Sequence, residues 1–225
     1  MTYQVIANPR TGSSLLNHYA LHYNEDFGFN ELFLENNWDL DIGWRKRFFT
    51  NYSIEEKLEF IEFYKSKNIH FSFKFMPHQI LETRPDLENR MIEFFKGYKN
   101  LTIHRDPWDS FLSLSYQTYT KWQTSHNWVD KGVVDVSEYK INLTTIKPFV
   151  IMYNMNMDFI SKVKMHKVFK YEEITTKNLQ KFFNTDWDSG SFPMNLDYRA
   201  KAINIQRVKE IFDYEMYGTR NRNNN

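Results

Sequence analysis

The stretch from Val5 to Leu16, "VIANPRTGSSLL", carries the clearest information about the fold. Its apolar start predicts the end of a buried strand, and its closing Leu15-Leu16 predicts the beginning of a helix. Between them lie a proline, an arginine, a glycine and two serines. A glycine turn that leads into a helix directs backbone N–H groups towards the helix N-terminus, where negative charge is favoured. The stretch therefore predicts a strand, an anion-binding loop and a helix in succession.

The rest of the chain repeats this alternation of strands and helices. Runs rich in β-branched and aromatic residues predict four buried strands, at 3–7, 70–75, 100–104 and 166–171. Helical patterns lie at 53–67, 84–98, 106–122, 144–164, 175–183 and 200–218. Ser53 and Glu56 have the spacing of a capping box at the start of the first of these helices. The alternation predicts an α/β fold with a parallel sheet flanked by helices. We expect one domain over residues 1–218 and a disordered polar tail over 219–225.

Composition restricts the classes of function. The chain has 225 residues, no cysteine and a net charge of +1. Disulfides, thiolate metal sites and cysteine nucleophiles are therefore excluded. The small net charge gives no general attraction to nucleic acid or acidic lipid, so an anion site has to be local. The sequence has no apolar run long enough to span a membrane and no secretory leader pattern. We expect a cytoplasmic protein without a nucleic-acid partner, and the oligomeric state is left open.

The loop at residues 8–14 has the chemistry of a cradle for phosphate or sulfate. In a parallel sheet it lies at the carboxyl end of the first strand, where such sheets bind ligands. Arg10 contributes a forked guanidinium, Gly12 allows close backbone approach, and the serines add hydroxyl donors. A Walker A loop has a lysine directly after its second glycine, whereas Ser13 stands there in this chain. This departure disfavours a site for a magnesium nucleoside triphosphate.

A second basic element follows the third predicted strand. Arg105 stands at the strand end, Asp106-Pro107 begins a helix, and Ser113 comes eight residues after Arg105. Eight residues are about two helical turns, which can return a hydroxyl to the side on which the arginine lies. Arg105 and Ser113 are therefore candidates to bind one phosphate together.

These elements resemble the sulfotransferases that use 3′-phosphoadenosine 5′-phosphosulfate. In that family a P-[KR]-[ST]-G-[ST]-[ST] loop holds the 5′-phosphosulfate, and residues 9–14 match it. An R-[DN]-P element with a serine eight residues after the arginine holds the 3′-phosphate, and it is matched by Arg105 and Ser113. A strand followed by Y-E-[DE]-[LIM] resembles "KVFKYEEI" at 167–174, with Tyr171 as the residue near the adenine. The three matches occur in the family's order and extend from residue 5 to residue 174.

The resemblance implies a P-loop NTPase-like sulfotransferase architecture, with 3′-phosphoadenosine 5′-phosphosulfate (PAPS) as donor and adenosine 3′,5′-bisphosphate (PAP) as product. No metal is expected. The acceptor is a hydroxyl of a carbohydrate, glycolipid, small alcohol or tyrosyl group. The implied donor-binding residues are Arg10, Thr11, Gly12, Ser13, Ser14, Arg105, Ser113 and Tyr171.

The chain departs from the cytosolic detoxification members of the family. Those members carry a K-T-H element after the second strand, and here Lys74 matches while Met76 replaces the histidine. The chain is therefore more similar to the bacterial or carbohydrate-type and tyrosyl-type members.

Four residues are candidates for catalysis: Arg10, Glu31, Lys74 and His78. Sulfuryl transfer, like phosphoryl transfer, needs positioning and charge stabilisation, which Arg10 and Lys74 can supply. A general base has to take the acceptor's proton, and Glu31, Glu35 and His78 are the alternatives. Glu31 ranks first, since its context "FGFNELF" at 27–33 resembles that of a catalytic glutamate in some bacterial members.

Two other functions stay open. A nucleotide or nucleoside kinase has a related loop, and an inactive nucleotide-binding protein can retain the fold.

His18 and His22 are four residues apart on a helix and could together bind a metal ion. No carboxylate has matching spacing, so we predict no metal site.

Overall fold

The structure is a computed structural model that describes residues 3–23, 28–31, 33, 53–67, 72–123, 138–188 and 201–218. Contacts along the chain divide it into two compact units. The first comprises Met1–His104 and Met155–Phe192, and the second comprises Arg105–Asn154 and Pro193–Asn225. The predicted single domain stays a prediction, and the predicted tail at 219–225 lies outside the described residues.

The first unit contains a five-stranded sheet in the order β2-β3-β1-β4-β5. All described strand pairs are parallel. The strands are β1 Tyr3–Ile6, β2 Gly28–Glu31, β3 Ser72–Phe75, β4 Lys99–His104 and β5 Met165–Lys170.

The described helices of the two units are α1 Ser13–Tyr23, α2 Ile54–Ser66, α3 His78–Leu81, α4 Glu88–Phe95, α5 Pro107–Gln123, α6 Ile146–Lys162, α7 Thr176–Phe183 and α8 Ile205–Tyr217. The predicted α/β class and parallel sheet are confirmed.

Two features of the sheet differ from the sequence-based prediction. Strand β2 was not predicted, because "GFNE" lacks a continuous apolar run; it pairs with β3 at one edge of the sheet. Strand β5 was predicted to be buried, and this is wrong. It forms the other edge of the sheet, where Phe169 is buried and Val168 is 51% exposed. Lysines on an edge strand, such as Lys167, are a common protection against unwanted pairing.

The predicted capping box at the start of α2 is confirmed. The Ser53 hydroxyl accepts a hydrogen bond from the Glu56 backbone N–H at 3.2 Å. The Ser53 N–H donates to the Glu56 carboxylate at 2.6 Å. These two bonds satisfy backbone donors that would otherwise lack partners at the helix start.

The main core of the first unit lies on one face of the sheet and is rich in phenylalanine. The Phe75 ring centroid lies 5.2 Å from that of Phe95 and 5.5 Å from that of Phe159. The side chains of a strand alternate between faces, so β3 contributes Phe73 and Phe75 to this core. The buried members are Ile6, Phe33, Leu58, Ile61, Phe73, Phe75, Ile80, Leu81, Leu87, Met91, Phe94, Phe95, Phe159, Ile160 and Val163.

The second unit has its own aromatic core. The Phe212 ring of α8 lies 5.2 Å from that of Trp108 and 5.3 Å from that of Phe111, between ring centroids. In the same unit, the carboxamide of Asn204 exchanges hydrogen bonds with both backbone groups of Ile141. Within the part of the chain that the structure describes, no helix is long and apolar enough to cross a membrane.

Candidate functional site

The loop between β1 and α1 contains two residues in the left-handed region. Arg10 has φ 61° and Gly12 has φ 79°. The Thr11 hydroxyl donates to the Asn8 carbonyl at 2.8 Å, and the Leu16 N–H donates to the Gly12 carbonyl at 3.3 Å as α1 begins. Glycine adopts positive φ readily, whereas an arginine rarely does. The loop is therefore a tight turn in which the chain accepts backbone strain at Arg10, a residue predicted to bind the anion.

A buried cation lies beside this loop. Lys74 is 2% exposed, and its Nζ donates a hydrogen bond to the Ser14 hydroxyl at 2.9 Å. Ser14 lies in the first turn of α1, at the positive end of the helix dipole. An ammonium group and a helix N-terminus together create a positive potential inside the protein, where charge is screened weakly. The arrangement is suited to hold an anion with several oxygens.

His18 lies one turn further along α1 and responds to the same charge. Burial lowers the pKa of His18, and the nearby Lys74 ammonium lowers it further. Both causes favour the neutral imidazole. His22, by contrast, stacks on Trp187 with ring centroids 4.6 Å apart and planes 13° from parallel. Across the described ranges, His, Asp and Glu side chains form no group of three that could hold a metal ion.

Tyr171 lies directly against the loop. It begins a 3-10 turn, Tyr171–Glu173, that follows β5. A Cβ atom built on Gly12 would lie 3.5 Å from Tyr171 Cε2 and 3.4 Å from Ile174 Cγ2. The structure thus brings together two of the three sequence elements on which the resemblance rests, the loop at 9–14 and the YEEI turn.

A buried carboxamide connects the loop to α3. Asn156 Nδ2 donates to Asn8 Oδ1 at 2.9 Å, and Asn156 Oδ1 accepts from the His78 N–H at 2.8 Å. The His78 ring also contacts this carboxamide through Nδ1. Pro77, the N-cap of α3, provides no side-chain hydrogen bond, so Asn156 takes over that function. Sequence analysis missed Asn156, for which the one available signal was an amide within the apolar pattern of α6.

Arg105 and Ser113 belong to the second unit. The Asp106 carboxylate caps α5 by accepting from the Trp108 N–H at 2.8 Å. The Tyr153 hydroxyl donates to the Arg105 carbonyl at 3.2 Å. Burial raises the pKa of Tyr153 to about 12, with smaller contributions from Asp106 and Tyr217. Tyr153 therefore stays protonated and able to donate at neutral pH. Ser113 is buried, and its predicted pairing with Arg105 on one phosphate stays a prediction.

The structure describes the three candidate bases to different extents. Glu31 is the last residue of β2, and its Cα pairs with that of Lys74 in β3. The Glu31 side chain and the whole of Glu35 lie outside the described part of the chain. His78 is the first residue of α3 and follows β3 closely.

Comparisons with known proteins add nothing to this geometry. No protein-family model matches the chain, and neither a curated protein nor a solved structure was found to match it.

Proposed function

We propose that this protein is a sulfotransferase that moves a sulfuryl group from PAPS to an acceptor hydroxyl. The observation that carries the proposal is the loop after β1, in which two left-handed residues lead into α1 beside the buried Lys74. The Lys74 ammonium and the N-terminus of α1 provide positive charge at one end of the sheet, and Arg10 is the cationic residue of the loop itself. The contact of Tyr171 with Gly12 supports the assignment, because the resemblance implies that both elements hold the donor.

The residues present fit the donor group. Its 5′-phosphosulfate carries oxygens suited to N–H, hydroxyl and guanidinium donors, which residues 10–14 supply. By resemblance, Arg105 and Ser113 would hold the 3′-phosphate, and Tyr171 would lie near the adenine. Bound PAPS supplies an activated sulfuryl group whose leaving group is a phosphate.

The proposed reaction is an in-line displacement at sulfur. The acceptor oxygen forms a bond to sulfur while the bond between sulfur and the 5′-phosphate oxygen breaks, and PAP leaves. The acceptor's proton passes to a general base, for which Glu31 is the first candidate. Arg10 and Lys74 would stabilise the negative charge that develops on the leaving phosphate, a kind of contribution that is typically large in enzymes. The reaction requires no metal in this proposal, and the partner is a small-molecule or glycan acceptor.

The test is a transfer assay with labelled PAPS against a panel of sugars, glycolipids, simple alcohols and tyrosyl peptides. We expect label to appear in one acceptor class, with PAP released in equal amount. Glu31→Gln should abolish transfer while PAP still binds, because the variant removes the base and leaves the loop intact. Magnesium-dependent phosphate transfer from ATP, with no transfer from PAPS, would instead indicate the kinase.

A further inference from the structure

The carboxamide of Asn156 has a defined orientation, because one of its partners can only donate. The His78 backbone N–H lies 2.8 Å from one carboxamide atom, which must therefore be the oxygen, Oδ1. The amide nitrogen, Nδ2, then lies on the other side, where it donates to Asn8 Oδ1 at 2.9 Å. Asn156 is 0% exposed, so water cannot readily replace either bond.

The second proton of Nδ2 determines the protonation of the His78 ring. His78 Nδ1 lies 3.1 Å from Asn156 Nδ2 and 3.2 Å from Asn156 Oδ1. If Nδ1 is unprotonated, it accepts from Nδ2, and both protons of the buried amide have partners. If Nδ1 carries the proton, it donates to Oδ1, and one amide proton loses its partner in a buried place. Buried polar groups are rarely left without a hydrogen bond, so the first arrangement is favoured.

We infer that Asn156 is a positioning residue that holds His78 as the neutral tautomer with its proton on Nε2. Nε2 is then a hydrogen-bond donor, and the ring's only basic nitrogen is engaged by Asn156. Where the proposed function holds, His78 therefore does not remove the acceptor's proton. The same carboxamide fixes the distance between the loop after β1 and the start of α3, because it bonds to Asn8 and His78 at once.

The experiment is long-range proton–nitrogen correlation NMR at pH 8 on protein labelled with ¹⁵N-histidine. The chain has seven histidines, and the His78→Gln variant identifies the His78 signals by their loss. We expect the wild-type His78 to show the pattern of a protonated Nε2 and an unprotonated Nδ1. Asn156→Asp replaces the donating amide by an acceptor and should move the proton to Nδ1. Asn154→Asp, the same change at an exposed position of α6, should leave the wild-type pattern.

A wild-type His78 with its proton on Nδ1 would overturn the inference, as would a His78 pattern that Asn156→Asp leaves unchanged. The wild-type spectrum decides the tautomer even if Asn156→Asp does not fold. The measurement requires no ligand and no turnover, so its outcome is independent of whether the chain binds PAPS.

Discussion

The two faces of β3 differ sharply in chemistry although they belong to the same four residues. One face presents Phe73 and Phe75 to a core of aromatic rings. The other presents Ser72 and Lys74, of which Lys74 reaches the first turn of α1. All four residues are buried, so exposure to water does not distinguish the faces.

The difference between the two faces distinguishes residues that stabilise the fold from residues that serve a site. Burial of a phenylalanine is favourable in itself, since it removes about 150–250 Å² of largely apolar surface from water. Burial of an ammonium is unfavourable unless its surroundings compensate for lost hydration. A chain that needed only stability would gain from an apolar residue at position 74. The buried lysine at position 74, beside the loop after β1, is therefore an indication of function.

The apolar face should dominate stability. Phe75→Ala is expected to lower the free energy of unfolding by about 3–5 kcal/mol, because it leaves a cavity among packed rings. Urea denaturation measures the change. Val168→Ala on the exposed edge strand should change the free energy by less than about 0.5 kcal/mol. A loss below about 1 kcal/mol for Phe75→Ala would show that this face is not the packed core described above.

The charged face should dominate activity. Lys74→Met is expected to lower turnover with PAPS by about 10²–10³, the typical loss for one preorganised donor. Its free energy of unfolding should stay the same or rise, because an apolar side chain of similar length replaces a buried charge. Lys167→Met, the same change on the exposed strand β5, is the control and should behave as wild type. Wild-type turnover in Lys74→Met would contradict the claim that the face of β3 with Lys74 serves the reaction.

The predicted phosphate-binding pair Arg105 and Ser113 should affect the binding of one phosphate selectively. Arg105→Ala is expected to weaken binding of PAP by about ten- to a hundred-fold, since a charge-assisted hydrogen bond contributes about 1.5–3 kcal/mol. Binding of 5′-AMP, which lacks the 3′-phosphate, should hardly change. Calorimetric titration with both nucleotides measures the difference, and an equal loss for both would refute the assignment of Arg105 to the 3′-phosphate.

The loop backbone should be sensitive to a single methyl group. Gly12→Ala is expected to lower the free energy of unfolding by about 1–2 kcal/mol, because φ 79° is unfavourable for a residue with a Cβ atom. Steric space is not the cause, since the added Cβ would have ordinary contact distances to Tyr171 and Ile174. Gly97→Ala is the control, and its effect should stay within about 1 kcal/mol because its neighbour is the mobile end of Lys65. Equal effects of the two variants in urea denaturation would contradict the role of the left-handed turn.

The smallest expected effect is a pH dependence that His18 contributes. Its pKa in the folded protein lies below the unfolded value of about 6.5, so the unfolded chain binds more protons in this range. Its contribution to stability is complete above about pH 6.5 and is lost as the pH falls through the lowered pKa. His18→Gln should remove this part of the pH dependence of the free energy of unfolding. Lys74→Met should reduce it, because the lysine charge is the second cause of the lowered His18 pKa. Identical slopes in the wild type and His18→Gln would exclude the contribution.

The sequence predicted the α/β class, the central strands and the loop, because these depend on local pattern and on turn chemistry. It predicted Lys74 and Tyr171 as site residues through family resemblance alone. It did not predict β2, whose four residues pair at the sheet edge without an apolar run of their own. It also missed Asn156, since a buried amide gains its importance from partners at Asn8 and His78 that are distant in the chain. Tertiary pairing of this kind leaves no periodic pattern in a single sequence.

The central claim is that the loop after β1 belongs to a site for a nucleotide with phosphates at both ends of its ribose. Calorimetric titration of the wild-type protein with PAP, 5′-AMP and magnesium ATP tests it most directly. We predict that PAP binds at least about ten-fold more tightly than 5′-AMP, as one added charge-assisted contact requires, and that magnesium does not strengthen binding. Tighter binding of magnesium ATP than of PAP, lost on removal of the metal, would contradict the account.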